Sequence, residues 1–431
     1  MHRSGLNVRK ARVEWLVLAL LVISVCINYI DRGNLSVAGV RLASELHLQP
    51  YQMGILYSAF FWTYSSCQIL AGWLIDRYSV VWVFAFGYLI WSGATVLTGL
   101  LTGFSALFLI RLALGAGESV AYPAYSKILS ASFPERLRGT ANGLIDVGSK
   151  LGPALGLLIG GTILARFGWR ALFISVGLVS LLWLLPWCLT APLLPRSASH
   201  SRELPSPGYF QILGKRQAWG TVLALFTANY AWYFLLTWLP SYLQMERHYS
   251  TEGMALFGSV PFFTVAAGAL FAGTASDWCI RAGASPNRVR KTFVSGGLLA
   301  CALLLMPAAV APGRVAALVL LSMATFCYGF FSGNHWGITQ TLAGPQAAAK
   351  WTAVQNCLGN LAGIAAPTIT GFIVQHTHSF YFAFVVVCLS LAVSALSYAL
   401  FIGKIEPVSW SRKDTFPAHS GAGPLSRGAG W

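Results

Sequence analysis

The sequence predicts an all-α membrane protein: twelve transmembrane helices in two six-helix, pseudo-symmetric halves. Three features lead there. The chain has 431 residues, 56% hydrophobic and 10% charged, against about 25% charged in a soluble domain. Apolar runs long enough to cross a bilayer, about 20 residues each, recur from end to end. One break rich in Pro, Ser and Arg divides these runs into two equal sets.

The first run follows a basic stretch (Arg9, Lys10, Arg12) and leads into Asp31-Arg32 with no small-residue cleavage site, so it reads as a span and not a removed signal peptide. Runs at 14–36, 52–74, 80–101, 104–127, 139–165 and 169–190 make the first half. Runs at 218–243, 254–276, 291–312, 313–341, 350–376 and 379–403 make the second. They are too long, and too little alternating, for the strands of a membrane barrel. The domain plan is therefore an N-terminus at 1–13, a half at 14–190, a linker at 191–217, a half at 218–403 and a tail at 404–431. Pro192, Pro195, Pro205 and Pro207 mark the linker. The tail is rich in Gly, Pro and Ser and is expected to be disordered.

A faint internal repeat supports the two halves. GWLIDR (Gly72 to Arg77) follows the second run, and GTASDW (Gly273 to Trp278) follows the eighth. Both the fifth and eleventh runs are glycine-spaced and broken by proline, at Pro153 and Pro367. Two parallel six-helix repeats are a carrier architecture with solute held between them.

The net charge of +16 comes from basic residues scattered between apolar runs, with no basic arm for nucleic acid. With the N-terminus inside, only Arg41, Arg166, Arg170, Arg247 and Arg314 fall on the outer side. Arg32, Arg111 and Lys150 lie at membrane depth, and the rest of the 29 Lys and Arg are inside. This bias places both termini in the cytoplasm and requires an even number of spans. The eight cysteines form no CxxC pair and read as packing residues.

Six charges interrupt the apolar runs, all in the first half: Asp31, Arg32, Arg111, Glu118, Asp146 and Lys150. Charge at membrane depth is costly and marks a polar pathway. Three acids against three bases point to mutual neutralisation in a shared cavity. No GxxxxGK[ST] loop is present for a pump, and no HExxH or GxSxG motif for an enzyme.

Several strings resemble the major facilitator superfamily, and within it the anion:cation symporter family. They are the DR-type loop at Gly72–Arg77 with its echo at Gly273–Asp277, NYIDRGNLSVAG (Asn28 to Gly39), RLALGAGESVAYPA (Arg111 to Ala124), FPERLRGTANG (Phe133 to Gly143), NYAWYFLLTWLPSYL (Asn229 to Leu243) and VQNCLGNLAGIAAPTITGFIV (Val354 to Val374). The resemblance covers about residues 14 to 407. It implies a bacterial inner-membrane secondary carrier of a small organic anion, such as a hexuronate, aldonate or aldarate, moved with a proton or another cation. It implies no cofactor, and function as a monomer in the lipid bilayer. Two departures stand out: YSVVW follows the DR, and Asp146 and Lys150 flank Ser149, near which sugar-acid carriers place a neutral polar residue.

Roles follow for individual residues. Arg32 is expected to clamp a substrate carboxylate with its planar fork, the role that the resemblance implies for the arginine after this aspartate. Asp31 and Glu118 are the expected proton carriers, with Arg111 pairing to whichever is deprotonated. Burial raises a carboxyl pKa and a nearby arginine lowers it, so substrate that competes for the arginine favours protonation. Tyr64 and Asn356 match substrate-contact positions of the family. Ser149, Lys150, Tyr233, Trp336 and Gln355 complete the candidate binding set, with Asn229, Tyr230 and Asn360 beside them. Asp146 and Lys150, four apart, either neutralise each other locally or offer Lys150 to a dicarboxylate. Tyr57 reads equally as packing, His335 as a satisfied buried histidine, and Trp238 and Pro240 as structural. Asp76, Arg77 and Asp277, at cytoplasmic helix ends, are expected gate residues that latch the halves when the cavity opens outward. Alternatives remain a sodium-coupled carrier of another carboxylate and a non-transporting nutrient sensor.

Overall fold

The structure is a computed structural model that describes residues 2–133, 135–191 and 207–410, with side chains for all of these except 2–11, 135–140 and 345. Ten helical segments are long and apolar enough to cross a membrane. One of them, Ala141–Thr190, is 50 residues long and turns at Gly168, whose φ of 83° favours glycine, so it makes two crossings. Pro50–Arg77, a 28-residue helix punctuated by Tyr, Ser, Thr and Gln, is less apolar and adds one more. The described residues thus hold twelve crossings, as the sequence predicts.

The first helix, His2–Glu45, runs past both ends of the span expected at 14–36. Asp31 and Arg32 sit in mid-helix and are buried; Arg32 is paired with Glu118 of the fourth crossing, while Asp31 accepts from Asn34 of its own helix. The fourth crossing is Phe104–Glu118 followed by Ala121–Ser132, kinked beside Glu118. The fifth starts at Glu135. Pro153 inside it lacks the N–H that a regular helix needs, and a π-helical turn at Gly156–Gly160 follows. The tenth crossing, Arg314–Ser332, breaks at Gly333–Asn334 before His335. The eleventh is interrupted at Leu361 and resumes as Ala362–Thr377.

Segments 192–206 of the linker and 411–431 of the tail lie outside the described residues. The tail was expected to be disordered from Lys404, yet residues 404–410 are docked. Val408 N–H donates to the Leu342 carbonyl at 2.8 Å, and Trp410 Nε1 to that of Ala343 at 3.2 Å. A Val and a Trp have apolar area to bury, which a Gly/Ser-rich stretch lacks.

The halves meet mainly on the side away from the termini. A Cβ on Gly371 would stand 2.7 Å from the Pro50 carbonyl oxygen, and one on Gly54 2.6 Å from that of Pro367. Only glycine lets the second and eleventh crossings approach that closely. Ser36 Oγ donates to the Leu236 carbonyl at 2.8 Å, and Tyr57 packs edge-on against Trp238 at 5.3 Å. Tyr57 is therefore a packing residue at this seam. On the terminal side, Asp76, Arg77 and Asp277 are all exposed. Asp76 pairs with Lys127 of its own half at 3.0 Å, and Arg281 Nε donates to the Asp277 carbonyl within the eighth helix. The arrangement is closed away from the termini and unlatched toward them.

Candidate functional site

Between the halves, the first helix carries Arg32 toward the second and fourth crossings. Its Nε donates to Glu118 Oε2 at 2.7 Å, and the two side chains are 3% and 0% exposed. The guanidinium carbon lies 4.3 Å from the ring centre of Tyr64, 4.8 Å from Tyr29 and 4.9 Å from Phe60. Tyr64 follows Phe60 by four residues, so one helical face supplies two walls of this cage. Tyr29 precedes Arg32 by three and supplies another. The cage is desolvated, which strengthens cation–π attraction.

The pair leaves atoms in reserve. Arg32 Nη2 and Glu118 Oε1 are buried and have no hydrogen-bond partner in the structure. An unmet buried donor or acceptor costs about 1–3 kcal/mol, so such atoms call for a functional explanation. One edge of the guanidinium faces the acid, and the rest of the fork remains available to a second anion.

Arg111 does not take the place expected of it. It is buried and 5.5 Å from the Phe60 ring centre, within electrostatic reach of Glu118 and Asp31. Among the described residues, however, the buried ion pair belongs to Arg32 and Glu118. Two turns along one helix set Arg111 and Glu118 apart, while the packing of the first helix sets Arg32 against the acid. Asp31, also buried, accepts from Asn34 Nδ2 at 3.3 Å, and its Oδ2 is unpaired. Asn28 and Thr95 approach Glu118 and Asp31 respectively.

The second half faces this group with neutral side chains. Tyr233 is buried, its ring is 4.4 Å from that of Phe61, and it lies within electrostatic reach of Arg32. Its hydroxyl donates to Asn360 Oδ1, and Asn360 Nδ2 donates to the Asn356 carbonyl at 2.8 Å. Asn356 itself is half-buried. Gln355 is buried, accepts from Thr339 Oγ1 at 2.7 Å, and has an unpaired Nε2. Asn229 is used elsewhere, donating to the Gly359 carbonyl at 3.1 Å, and Tyr230 is buried beside Thr370.

A second group lies nearer the termini. Lys150 Nζ is 3.8 Å from Asp146 Oδ1 and 5.0 Å from the Trp232 ring centre, across the seam between halves. Ser149 is buried and donates to the Asp146 carbonyl at 2.7 Å. His335 stacks on Phe331 and lies against the tilted ring of Trp336, each 4.5 Å away, within electrostatic reach of Lys150 and Asp146. Asn334 is a packing residue that accepts from Ser276 at 2.8 Å. The described residues hold no cluster of His, Cys, Asp and Glu suited to a metal ion.

The sequence reasoning missed Tyr29, Phe60 and Trp232. Tyr29 and Phe60 could have been found from their helical spacing to Arg32 and Tyr64. Trp232 carried no signal, because its partner is on another helix.

The model of the Major Facilitator Superfamily matches residues 21–367. The chain belongs to that superfamily. It is 29% identical over 423 residues to a protein of Escherichia coli (strain K12) named "Probable L-galactonate transporter", covering 95% of this chain and 93% of the relative. It is 28% identical over 443 residues to the "Probable galactarate/D-glucarate transporter GudP" of Bacillus subtilis (strain 168), covering 96% and 97%. A solved bacterial homolog to the human lysosomal transporter Spinster superposes with a TM-score of 0.74 at 20% identity, covering 90% of this chain and 95% of that one. That likeness concerns the fold alone. This superfamily member resembles bacterial sugar-acid transporters and is a membrane transporter, not an enzyme.

Proposed function

We propose that this transporter carries a small organic anion, a sugar acid, in symport with a proton by alternating access. The observation that carries the reading is the buried Arg32–Glu118 pair with an unpaired Arg32 nitrogen inside an aromatic cage. A carboxylate that engages Arg32 competes with Glu118 for the same positive charge. Losing that charge favours protonation of the acid, and by reciprocity protonation favours anion binding. Proton and anion then travel together. Asp31 and Arg111 extend the same network, and the second half supplies Tyr233, Gln355 and Asn356 to hydroxyls of the solute.

The positive-inside bias supports termini in the cytoplasm, and the likeness to bacterial transporters supports an inner membrane. The present conformation is then inward-facing, with Asp76, Arg77 and Asp277 exposed as a released gate. One chain supplies both walls of the site, so the unit is a monomer, and the coupling ion is the only accessory it needs.

Proteoliposomes test the reading. With acid outside, labelled D-galactonate or D-glucarate is expected to accumulate against its gradient. Accumulation driven by a sodium gradient and indifferent to pH overturns proton coupling. Binding without accumulation turns the protein into a sensor.

A further inference from the structure

We infer that Lys150 forms a second anion seat, so that the site prefers a solute with a negative group at both ends. This rests on the carrier reading above and names its substrate class: a dicarboxylate over a monocarboxylate of equal length.

Three observations converge on Lys150. First, it repeats the arrangement around Arg32. Each cation sits beside one acid and over an aromatic ring: Arg32 beside Glu118 over Tyr64, Lys150 beside Asp146 over Trp232. The second pair is the looser, 3.8 Å against 2.7 Å. The Asp146 side chain is 53% exposed, while Lys150 is 16% exposed. An acid already half in water gives up its partner at little cost, since an exposed pair is worth about 0–1 kcal/mol.

Second, Lys150 reaches over the seam to the other half, as a solute-binding group must. Trp232 and Tyr233 are neighbours on the seventh crossing: the Trp232 ring is 5.0 Å from Lys150 Nζ, and the Tyr233 ring packs at 4.4 Å on Phe61, next to the Phe60 ring under Arg32. The two seats therefore share one wall.

Third, the spacing suits a short solute. The first and fifth crossings run side by side, with Gly148 against Val22 and Val25, Gly152 against Cys26 and Tyr29, and Gly156 against Ile30. That register sets Lys150 beside residues 25–27, about six residues short of Arg32 and about 9 Å nearer the termini along the axis. Two flexible cationic side chains can close that interval around an acyclic chain charged at both ends. Pro153 lies between the levels of the two seats and the π turn at Gly156–Gly160 lies at the level of Arg32, so the helix is softened where it must adapt.

D-glucarate and D-galactonate are suitable probes, because one has a carboxylate at the far carbon and the other a hydroxymethyl group. Competition binding on the purified full chain is expected to favour D-glucarate. Lys150→Gln is expected to weaken D-glucarate about 10- to 100-fold, the range of a lost charged hydrogen bond, and to leave D-galactonate within about twofold. Lys150→Arg should restore the preference. Asp146→Asn, which frees Lys150, should tighten D-glucarate alone. Equal losses for both probes in Lys150→Gln make Lys150 a strut between halves and overturn the seat. So does a wild type that binds D-galactonate as tightly as D-glucarate, which leaves the carrier reading intact. A wild type that binds neither probe overturns both.

Discussion

The two halves share a topology and divide the chemistry between them. The first half holds every charged group of the two clusters: Asp31, Arg32, Arg111, Glu118, Asp146 and Lys150. The second answers with rings, amides and a histidine: Trp232, Tyr233, Gln355, Asn360 and His335. Under the proposed alternating access, the physical reason lies in motion. Breaking a buried ion pair by removing a partner costs about 3–5 kcal/mol. A pair split between halves would have to open in every cycle, whereas a pair kept within one rigid half moves as a unit. Neutral partners can leave a solute more cheaply, so they belong on the half that swings away.

Substitutions can break or sharpen that division. The largest effect is expected from Arg32→Ala, which should weaken anion binding more than about 100-fold in a competition assay. Arg32→Lys should recover little, because an ammonium lacks the planar fork and leaves Glu118 poorly matched. Unchanged affinity in either variant would remove the clamp from the charged half.

Glu118→Gln comes next. It keeps the shape of the pair and removes the proton site. Uphill accumulation should fall to the equilibrium level while exchange of labelled anion persists. Wild-type uptake should rise as the outer medium is acidified, and the variant should lose that dependence. Full accumulation by Glu118→Gln would shift coupling to Asp31.

Gly371→Leu tests the seam and not the chemistry. The added side chain meets the Pro50 carbonyl at 2.7 Å already at its Cβ, so closure away from the termini should fail. Transport is expected to drop about 10-fold or more with anion affinity retained. A cysteine near Gly54 should then react with reagents from the outer side. Tyr233→Phe, on the neutral half, removes one hydrogen bond to Asn360 and should cost about 2- to 10-fold in affinity. The smallest effect belongs to Lys127→Ala. Its Asp76 partner is 81% exposed, so thermal stability should stay within error. A larger loss would mean that the gate residues matter even when unlatched.

Legibility from sequence followed the same line between local and long-range physics. The seven-residue spacing of Arg111 and Glu118 located both on one helical face, yet it could not say which arginine the acid would meet. Asn229, Tyr230 and Tyr233 lie within about one turn and were indistinguishable by pattern. In the structure only Tyr233 lies within reach of Arg32, while Asn229 is spent on the Gly359 carbonyl. Helix ends were less legible. The first helix continues from the expected 14–36 to Glu45, because hydrophobic length marks the span in lipid and not the helical turns beyond it.

The amino-acid sequence alone determined the number of crossings and which of them carry the charges, and it supplied the expectation of which side the termini lie on. These depend on hydrophobic length, on the distribution of Lys and Arg, and on rise per residue, all of which are local or additive along the chain. Only the tertiary structure decided that Glu118 joins Arg32, that Trp232 receives Lys150, and that the halves close away from the termini. Those outcomes depend on how each helix is rotated and how closely it packs against its neighbours. Close approaches such as Gly371 against Pro50 set that geometry between residues hundreds of positions apart.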